Sequence, residues 1–321
     1  MHFTLAFAAA FALSAFNTLA ADANPPATNN ARRVATKFPR TDVKYQHGPD
    51  SQRKEGVPHG KINDFDWKQS KVFPGTIRHC SIYVPTQYDA KKPAALMVFQ
   101  DGHTYLKEDG DFRVPVVFDN LIAAKEMPVT IAVFIDPGFK LAEFPSSERG
   151  WKPEPQNRSF EYDSLSTNYS EFLVSEILPE IRKQYNITDD PEGRAIGGIS
   201  SGGICAWTVA WHRPDQFRKV LSHVGSFTNI RGGNKYPDLI RAEDAKPIRI
   251  FVQDGANDLR GSPGNRRPGW NWVVGNLNLV SALEEKDYDY KYVLGEGGHN
   301  GNHGGAILPD ALRWLWRDYV K

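Results

Sequence analysis

The sequence predicts an α/β fold: a mostly parallel central sheet with an antiparallel N-terminal hairpin and helices on both faces. Three observations predict it. Residues 94–99 and 129–135 are nearly continuous apolar runs, the pattern of strands covered on both sides rather than half exposed. Residues 114–125, between those runs, have helical spacing, and strand–helix–strand is the unit from which parallel sheets are built. The run Gly197-Gly198-Ile199-Ser200-Ser201-Gly202-Gly203 reads as a buried strand ending in a sharp turn and opening a helix.

Taken in order, the chain begins with an alanine- and phenylalanine-rich run, residues 3–20, that ends in small residues and resembles a secretory signal peptide. Residues 1–23 are therefore expected to be removed on export to the periplasm or the medium, with cleavage after Ala20 or Ala23. The segment ahead of the run carries no Lys or Arg, a departure from the usual pattern that leaves an uncleaved anchor as the less favoured alternative. No later stretch is long and apolar enough to span a bilayer, so no stable membrane insertion is expected after cleavage. Residues 24–56 are rich in Asn, Pro, Arg, Gln and Asp with little apolar periodicity, and read as an extended leader. A single α/β domain is expected over residues 57–321.

Within it, residues 61–72 and 76–84 alternate polar and apolar side chains around the turn pair Pro74-Gly75, as an edge hairpin does. Residues 164–185 place Phe172, Leu173, Ile177, Leu178 and Ile181 on one stripe of a long amphipathic helix. Strands follow at 194–199, 220–224, 247–253 and 288–294, with a helix at 276–285 and a closing helix whose apolar face includes Trp314, Leu315 and Tyr319. Residues 138–163 and 259–271 remain as long insertions, where such folds keep lids and binding walls.

Composition narrows the function classes. With 39 Lys+Arg against 38 Asp+Glu the net charge is +1, and no basic stripe runs along any element, which argues against nucleic acid as a partner. The two cysteines, Cys80 and Cys205, fall in apolar contexts where a thiol packs as a small hydrophobe, and export permits a disulfide without requiring one.

Gly198-Ile199-Ser200-Ser201-Gly202 fits G-x-S-x-G in one frame only, because centring the pattern on Ser201 puts Ile199 where the first glycine belongs. A serine hydroxyl needs a histidine to take its proton and a carboxylate to hold that histidine's tautomer. Both should follow later strands. After 247–253 come Asp254 and Asp258; Asp254 leaves the strand directly and suits a turn, so Asp258, further along the loop, is the favoured acid. After 288–294 come His299 and His303, and His299, which follows a glycine run straight off the strand, is the favoured base. The spacing of four between these histidines would suit a shared metal, but no acidic third ligand is in register, so no metal site is expected. Oxyanion donors are expected at the amide of Ser201 and at Gly102 or His103, on the loop after the strand ending Val98-Phe99. Trp270, Trp272, Trp151 and Phe160 lie on the insertions as an aromatic wall for substrate or as pins for the loops.

Gln100-Asp101-Gly102, Arg158 through Asp163, Gly197 through Gly203, Gly255 through Asp258 and Gly298-His299 occur in that order, and together they resemble the "Putative esterase" family of α/β-hydrolases. That family includes feruloyl and acetylxylan esterases, enterochelin-type siderophore esterases and esterase D. The resemblance covers residues 57–321 and implies an α/β-hydrolase fold with Ser200 as nucleophile, Asp258 as acid and His299 as base. It implies also that Arg158 and Glu161 border the substrate site, unless they form an ion pair that holds the loop. One departure is visible: His103-Thr104-Tyr105 stand where siderophore esterases carry an acidic residue and a tryptophan. The expected activity is thus that of an exported serine carboxylester hydrolase, needing no metal or organic cofactor, on a small-molecule or carbohydrate-linked ester such as a feruloyl or acetyl ester. A siderophore-lactone esterase and an acyltransferase are the alternatives on the same fold; a non-catalytic binding module would be expected to carry a damaged triad.

Overall fold

The computed structural model describes residues 43–144, 150, 157–261 and 269–319. The expected signal peptide, the first part of the leader and Trp151 lie outside the described residues.

One sheet of eight strands organises the molecule, in the order β1-β2-β4-β3-β5-β6-β7-β8. The strands β1 (Lys61–Trp67) and β2 (Arg78–Val84) form the predicted hairpin, paired antiparallel from Lys61↔Val84 to Trp67↔Arg78. β1 is shorter than the expected 61–72. Residues beyond Trp67 leave the ladder because the amides of Lys71 and Val72 donate to Glu176 Oε1, at 2.7 and 2.9 Å, and that of Phe73 to Ser70 Oγ.

β2 also pairs antiparallel with β4 (Thr130–Ile135), whereas β3 (Ala95–Gln100), β4, β5 (Arg194–Ile199), β6 (Lys219–His223), β7 (Arg249–Gly255) and β8 (Asp289–Gly295) are mutually parallel. The continuous apolar runs have the predicted cause. Leu96 and Val98 of β3 point into one core cluster, and Ala95, Met97 and Phe99 into another on the opposite face. In β4, Ile131, Val133 and Ile135 alternate in the same way with Ala132 and Phe134.

The helices divide between these faces. α1 (Gly102–Leu106), α2 (Val114–Ala123) and α10 (Leu308–Trp316) supply Tyr105, Val117, Leu312 and Trp316 to one cluster. α6 (Ser201–His212), α7 (Tyr236–Ala242) and α8 (Trp272–Glu285) supply Trp207, Tyr236 and Leu279 to the other. The long helix expected at 164–185 is present as α4 (Asn168–Phe172), a π-helical turn (Leu173–Ile177) and α5 (Leu178–Arg182). Pro179, at the start of α5, has no N–H to donate back along the helix, which accounts for a local change of winding. α3 (Arg158–Tyr162) and α9 (Asn302–Ala306) are single turns beside the C-terminal ends of the strands.

Residues 43–56 are irregular apart from one 3-10 turn at Pro49–Ser51, yet they are packed on the domain. Arg53 pairs with Asp119, Asn120 donates to the carbonyls of Asp50 and Gln52, and Tyr45 bonds Asn302. A polar segment poor in apolar periodicity, upstream of the boundary expected at Val57, is thus held on the domain by hydrogen bonds and ion pairs. Cys80 and Cys205 are both buried in the core, where burial pushes the Cys205 thiol well above its ordinary range.

Candidate active site

β5 is buried along its whole length and stops at Ser200, which takes φ 57° and ψ −119° before α6 begins at Ser201. A non-glycine residue in that region stores about 1–3 kcal/mol of backbone strain. Backbone hydrogen bonds hold the turn: Ser200 N–H donates to His223 O at 2.9 Å, while the amides of Gly203 and Ser226 each donate to Ser200 O at 3.0 Å and that of Ile204 at 3.3 Å. The first glycine of the motif is required sterically. A Cβ on Gly198 would sit 2.4 Å from the carbonyl carbon and oxygen of Gly202.

The parallel register of β7 and β8 ends at Gly255↔Gly295, so the loops that follow emerge side by side. They are laced together by Ala256 N–H to Gly295 O at 2.7 Å and Asn257 N–H to Gly297 O at 3.0 Å. On these loops stand Asp258 and His299. His299 Nδ1 lies 2.6 Å from Asp258 Oδ1, and His299 Nε2 lies 2.8 Å from Ser200 Oγ. Because the carboxylate can only accept, it selects the tautomer protonated at Nδ1, leaving Nε2 to accept the Ser200 hydroxyl proton. An arrangement of this kind can activate a serine hydroxyl toward an acyl carbon.

The rival residues have other partners. Asp254, on β7, is fully buried near Asp258; burial first, then the neighbouring Asp258 carboxylate, push it up to about 8. It is therefore a neutral acid near pH 7. His303 contacts Gln253 through Nδ1 at 3.2 Å and stacks on Tyr45 at 4.1 Å between centroids. Burial holds its pKa below the usual imidazole range.

Ser201 opens α6, where the first amides have no acceptor within the helix. Gly102 opens α1 in the same way after Asp101, itself at φ 55° and ψ 45°. His103, the alternative expected oxyanion donor, has its amide engaged: it donates to Asp136 Oδ1 at 2.8 Å, and its Nδ1 lies 3.0 Å from the same oxygen. A carboxylate competes for that donor, whereas sequence spacing alone could not separate His103 from Gly102.

Arg158 and Glu161 share α3 but part ways. The Arg158 guanidinium grips Asp101 with Nε at 2.8 Å and Nη2 at 2.6 Å, and Nη2 reaches Ile199 O at 3.3 Å, so it joins α3 to the loop after β3 and to the residue before Ser200. Arg158 also lines the cavity at Ser200. Glu161 instead turns into the core and pairs with Arg78 at 2.7 and 3.0 Å, both side chains fully buried and the guanidinium 4.3 Å over the Phe172 ring. It is a structural ion pair, not a substrate-facing group.

Trp272 and Trp270 act as supports. Trp272 is buried, meets the His299 ring edge-on at 5.4 Å and donates its indole N–H to Ser226 Oγ at 3.0 Å. Trp270 donates to Asn229 O at 2.8 Å and packs edge-on to Trp272. Phe160, also weighed for the aromatic wall, is 45% exposed and packs edge-on against Phe73. Ser226 was not singled out from sequence, although its Oγ is 3.2 Å from Ser200 Oγ. The signal available was its position just past the C-terminal end of β6, the edge on which every other member of this site stands.

A cavity of about 700 Å³ opens over Ser200 and His299, walled by Thr104, Phe112, Arg158 and Ile199. A second groove of about 630 Å³ shares Gly110, Asp111 and Asn300 with it and is lined by polar side chains, among them Lys44, His47, Arg113 and Asn302.

The family model described as "Putative esterase" matches residues 70–314. Among curated proteins, an uncharacterized protein of Bacillus subtilis, YbbA, is 21% identical over 247 residues, 74% of this chain and 92% of its own. The iron(III) enterobactin esterase of Dickeya dadantii is 22% identical over 264 residues, 79% of this chain and 55% of its own. Among solved structures, the enterobactin esterase of Shigella flexneri in the presence of enterobactin superposes with a TM-score of 0.63 at 21% identity, covering 85% of this chain and 62% of that one. A ferulic acid esterase of the anaerobic fungus Anaeromyces mucronatus superposes with a TM-score of 0.62 at 21% identity, covering 84% and 97%. This chain spans about three fifths of the length of the Shigella enterobactin esterases. At these identities the structural likeness is one of fold.

Proposed function

The chain belongs to the "Putative esterase" family of carboxylic ester hydrolases, and from that premise we propose that it is an exported serine esterase acting on carbohydrate-linked acyl esters, feruloyl or acetyl, through an acyl-enzyme. The observation that carries the mechanism is the continuous line Asp258–His299–Ser200, with spacings of 2.6 and 2.8 Å, at a strained strand-to-helix turn. In this reading Ser200 Oγ attacks the ester carbonyl as its proton passes to His299 Nε2. Asp258 holds the ring and offsets the charge of the imidazolium. The oxyanion is met by the amides of Ser201 and Gly102; that of His103 would take part only by exchanging Asp136 for the oxyanion. His299 then returns the proton to the departing alcohol, and water, activated by the same nitrogen, releases the acid.

Two features support a carbohydrate ester. The cavity at Ser200 has the size and partly aromatic wall that suit an acyl group, and the polar groove beside it offers amide, imidazole and charged groups to a hydroxyl-rich alcohol. The name of the Anaeromyces relative, a ferulic acid esterase, favours a feruloyl acyl group. Steady-state hydrolysis of feruloyl-sugar, acetyl-xylan and p-nitrophenyl acetate esters tests it, a higher kcat/KM for the sugar-linked esters being the expected result.

A second reading, hydrolysis of a catecholate siderophore lactone, rests on the printed names of the Dickeya and Shigella relatives. The loop His103-Thr104-Tyr105 favours it less. A catecholate-lactone ester in the same panel separates the two. Export rests on residues 1–23, and N-terminal sequencing of the protein from a periplasmic or culture fraction checks it: a start after Ala20 or Ala23 is expected.

A further inference from the structure

Ser226 follows β6 by three residues and is almost fully buried beside the nucleophile. Its Oγ has two neighbours: Ser200 Oγ at 3.2 Å and Trp272 Nε1 at 3.0 Å. Its position is fixed by the backbone, since its amide donates to Ser200 O at 3.0 Å and Asn276 Nδ2 holds the carbonyl of Gly225 at 3.0 Å.

Donor and acceptor roles can be assigned by elimination. The indole N–H of Trp272 can only donate, so Ser226 Oγ accepts from it. The Ser200 hydroxyl is 2.8 Å from His299 Nε2, the acceptor that Asp258 prepares, so the Ser200 proton is directed there. The hydroxyl hydrogen of Ser226 is then directed at Ser200 Oγ. We propose that Ser226 is a further catalytic residue, a hydrogen-bond donor to Ser200 Oγ whose main effect is on deacylation. The inference rests on the reading of Ser200 as the nucleophile.

The preference for deacylation follows from what Ser200 Oγ is in each resting state. Before acylation it is a hydroxyl oxygen, a good acceptor, so the bond from Ser226 stabilises ground state and transition state alike and changes the rate little. In the acyl-enzyme it is an ester oxygen, a poor acceptor. During collapse of the second tetrahedral intermediate the C–Oγ bond breaks, its electron pair returns to Oγ, and the proton on His299 Nε2 moves to that oxygen. Negative charge builds on Oγ ahead of the proton, and the Ser226 bond strengthens only then. Such a differential interaction accelerates the step.

The test uses the full chain with p-nitrophenyl acetate in stopped flow, comparing wild type, Ser226→Ala and Trp272→Phe. For Ser226→Ala, a burst approaching one equivalent is expected, with the steady phase slowed roughly 10- to 100-fold and the burst rate changed by less than about threefold. Trp272→Phe keeps an aromatic, though smaller, ring and removes the N–H that orients Ser226; it should shift the steady phase in the same direction by a smaller factor. This second variant keeps the test open if Ser226→Ala folds poorly. Equal slowing of both phases, or no slowing of the steady phase, would overturn the inference. Acid quench and peptide mass analysis separate its failure from that of the premise. Acetyl on the Ser200 peptide with equal slowing sinks the role of Ser226 alone, whereas acetyl elsewhere, or none, sinks the assignment of Ser200 and this inference together.

Discussion

Asp258 Oδ1 and His299 Nδ1 lie 2.6 Å apart across the seam between the loops after β7 and β8, although 41 residues separate them in sequence. Replacing Asp258 by Asn would offer an N–H where an acceptor is needed and turn the ring to the wrong tautomer. A fall in kcat of about 10⁴-fold at pH 7 is expected for Asp258→Asn. Asp254→Asn should cost less than about tenfold, because the neutral amide replaces a carboxyl that already carries its proton. Steady-state kinetics on p-nitrophenyl acetate decide between them; the reverse order would make Asp254 the orienting acid.

The same carboxyl pair makes stability depend on pH. Asp254 titrates at about 8 in the folded chain against an ordinary 3.8, so between those values the folded protein keeps a proton that the unfolded chain has released. Unfolding then becomes easier as pH rises, and the stability present below about pH 4 is lost progressively up to about pH 8. In Asp254→Asn that contribution is absent. Urea unfolding at pH 5 and pH 8 should show a smaller drop for the variant than for wild type, and equal drops would mean that Asp254 ionises normally.

Backbone strain at Ser200 predicts a trade of activity for stability. At φ 57° and ψ −119°, alanine keeps the strain and glycine relieves it. Ser200→Ala and Ser200→Gly should both lose roughly 10⁵- to 10⁶-fold in kcat. Ser200→Gly should nevertheless be the more stable of the two, by about 1–3 kcal/mol. Calorimetry on the pair measures the difference, and matching melting temperatures would show that the turn is unstrained.

Removing one partner of a fully buried ion pair strands the other. For Glu161→Ala, with Arg78 left in the core, about 3–5 kcal/mol of stability should be lost. Arg158 lies on the same helical turn, so activity should fall as well, through KM if the cavity wall moves. Denaturant titration with parallel kinetics checks both, and a loss under about 1 kcal/mol would place Glu161 outside the framework of the fold.

Much of this was legible in the sequence because it is written in short-range patterns. Residues 94–99 and 129–135 are apolar at every position because two cores flank the sheet, and that cause leaves its mark locally. The glycines around Ser200 are there because Gly198 and Gly202 touch, again within one turn. Less legible were features whose partners are distant. β1 ends at Trp67 because Glu176, about 100 residues away, captures the amides that would have continued it. The segment 43–56 lacks apolar periodicity and still docks, through ion pairs and hydrogen bonds to residues as far apart as Glu108 and Arg313.

By itself the sequence determined the α/β class, the strand order of the site's loops and the identity of Ser200, Asp258 and His299 as the candidates, since each depends on residue type and on position after a strand. Tertiary structure alone decided the rest. It set Glu161 against Arg78 rather than substrate, engaged the amide of His103 with Asp136, turned Trp272 into a support for His299 and brought Ser226 Oγ to 3.2 Å from Ser200 Oγ. Those outcomes depend on which way a side chain points from a short helix or loop, and that direction is fixed by contacts across the sheet's C-terminal edge.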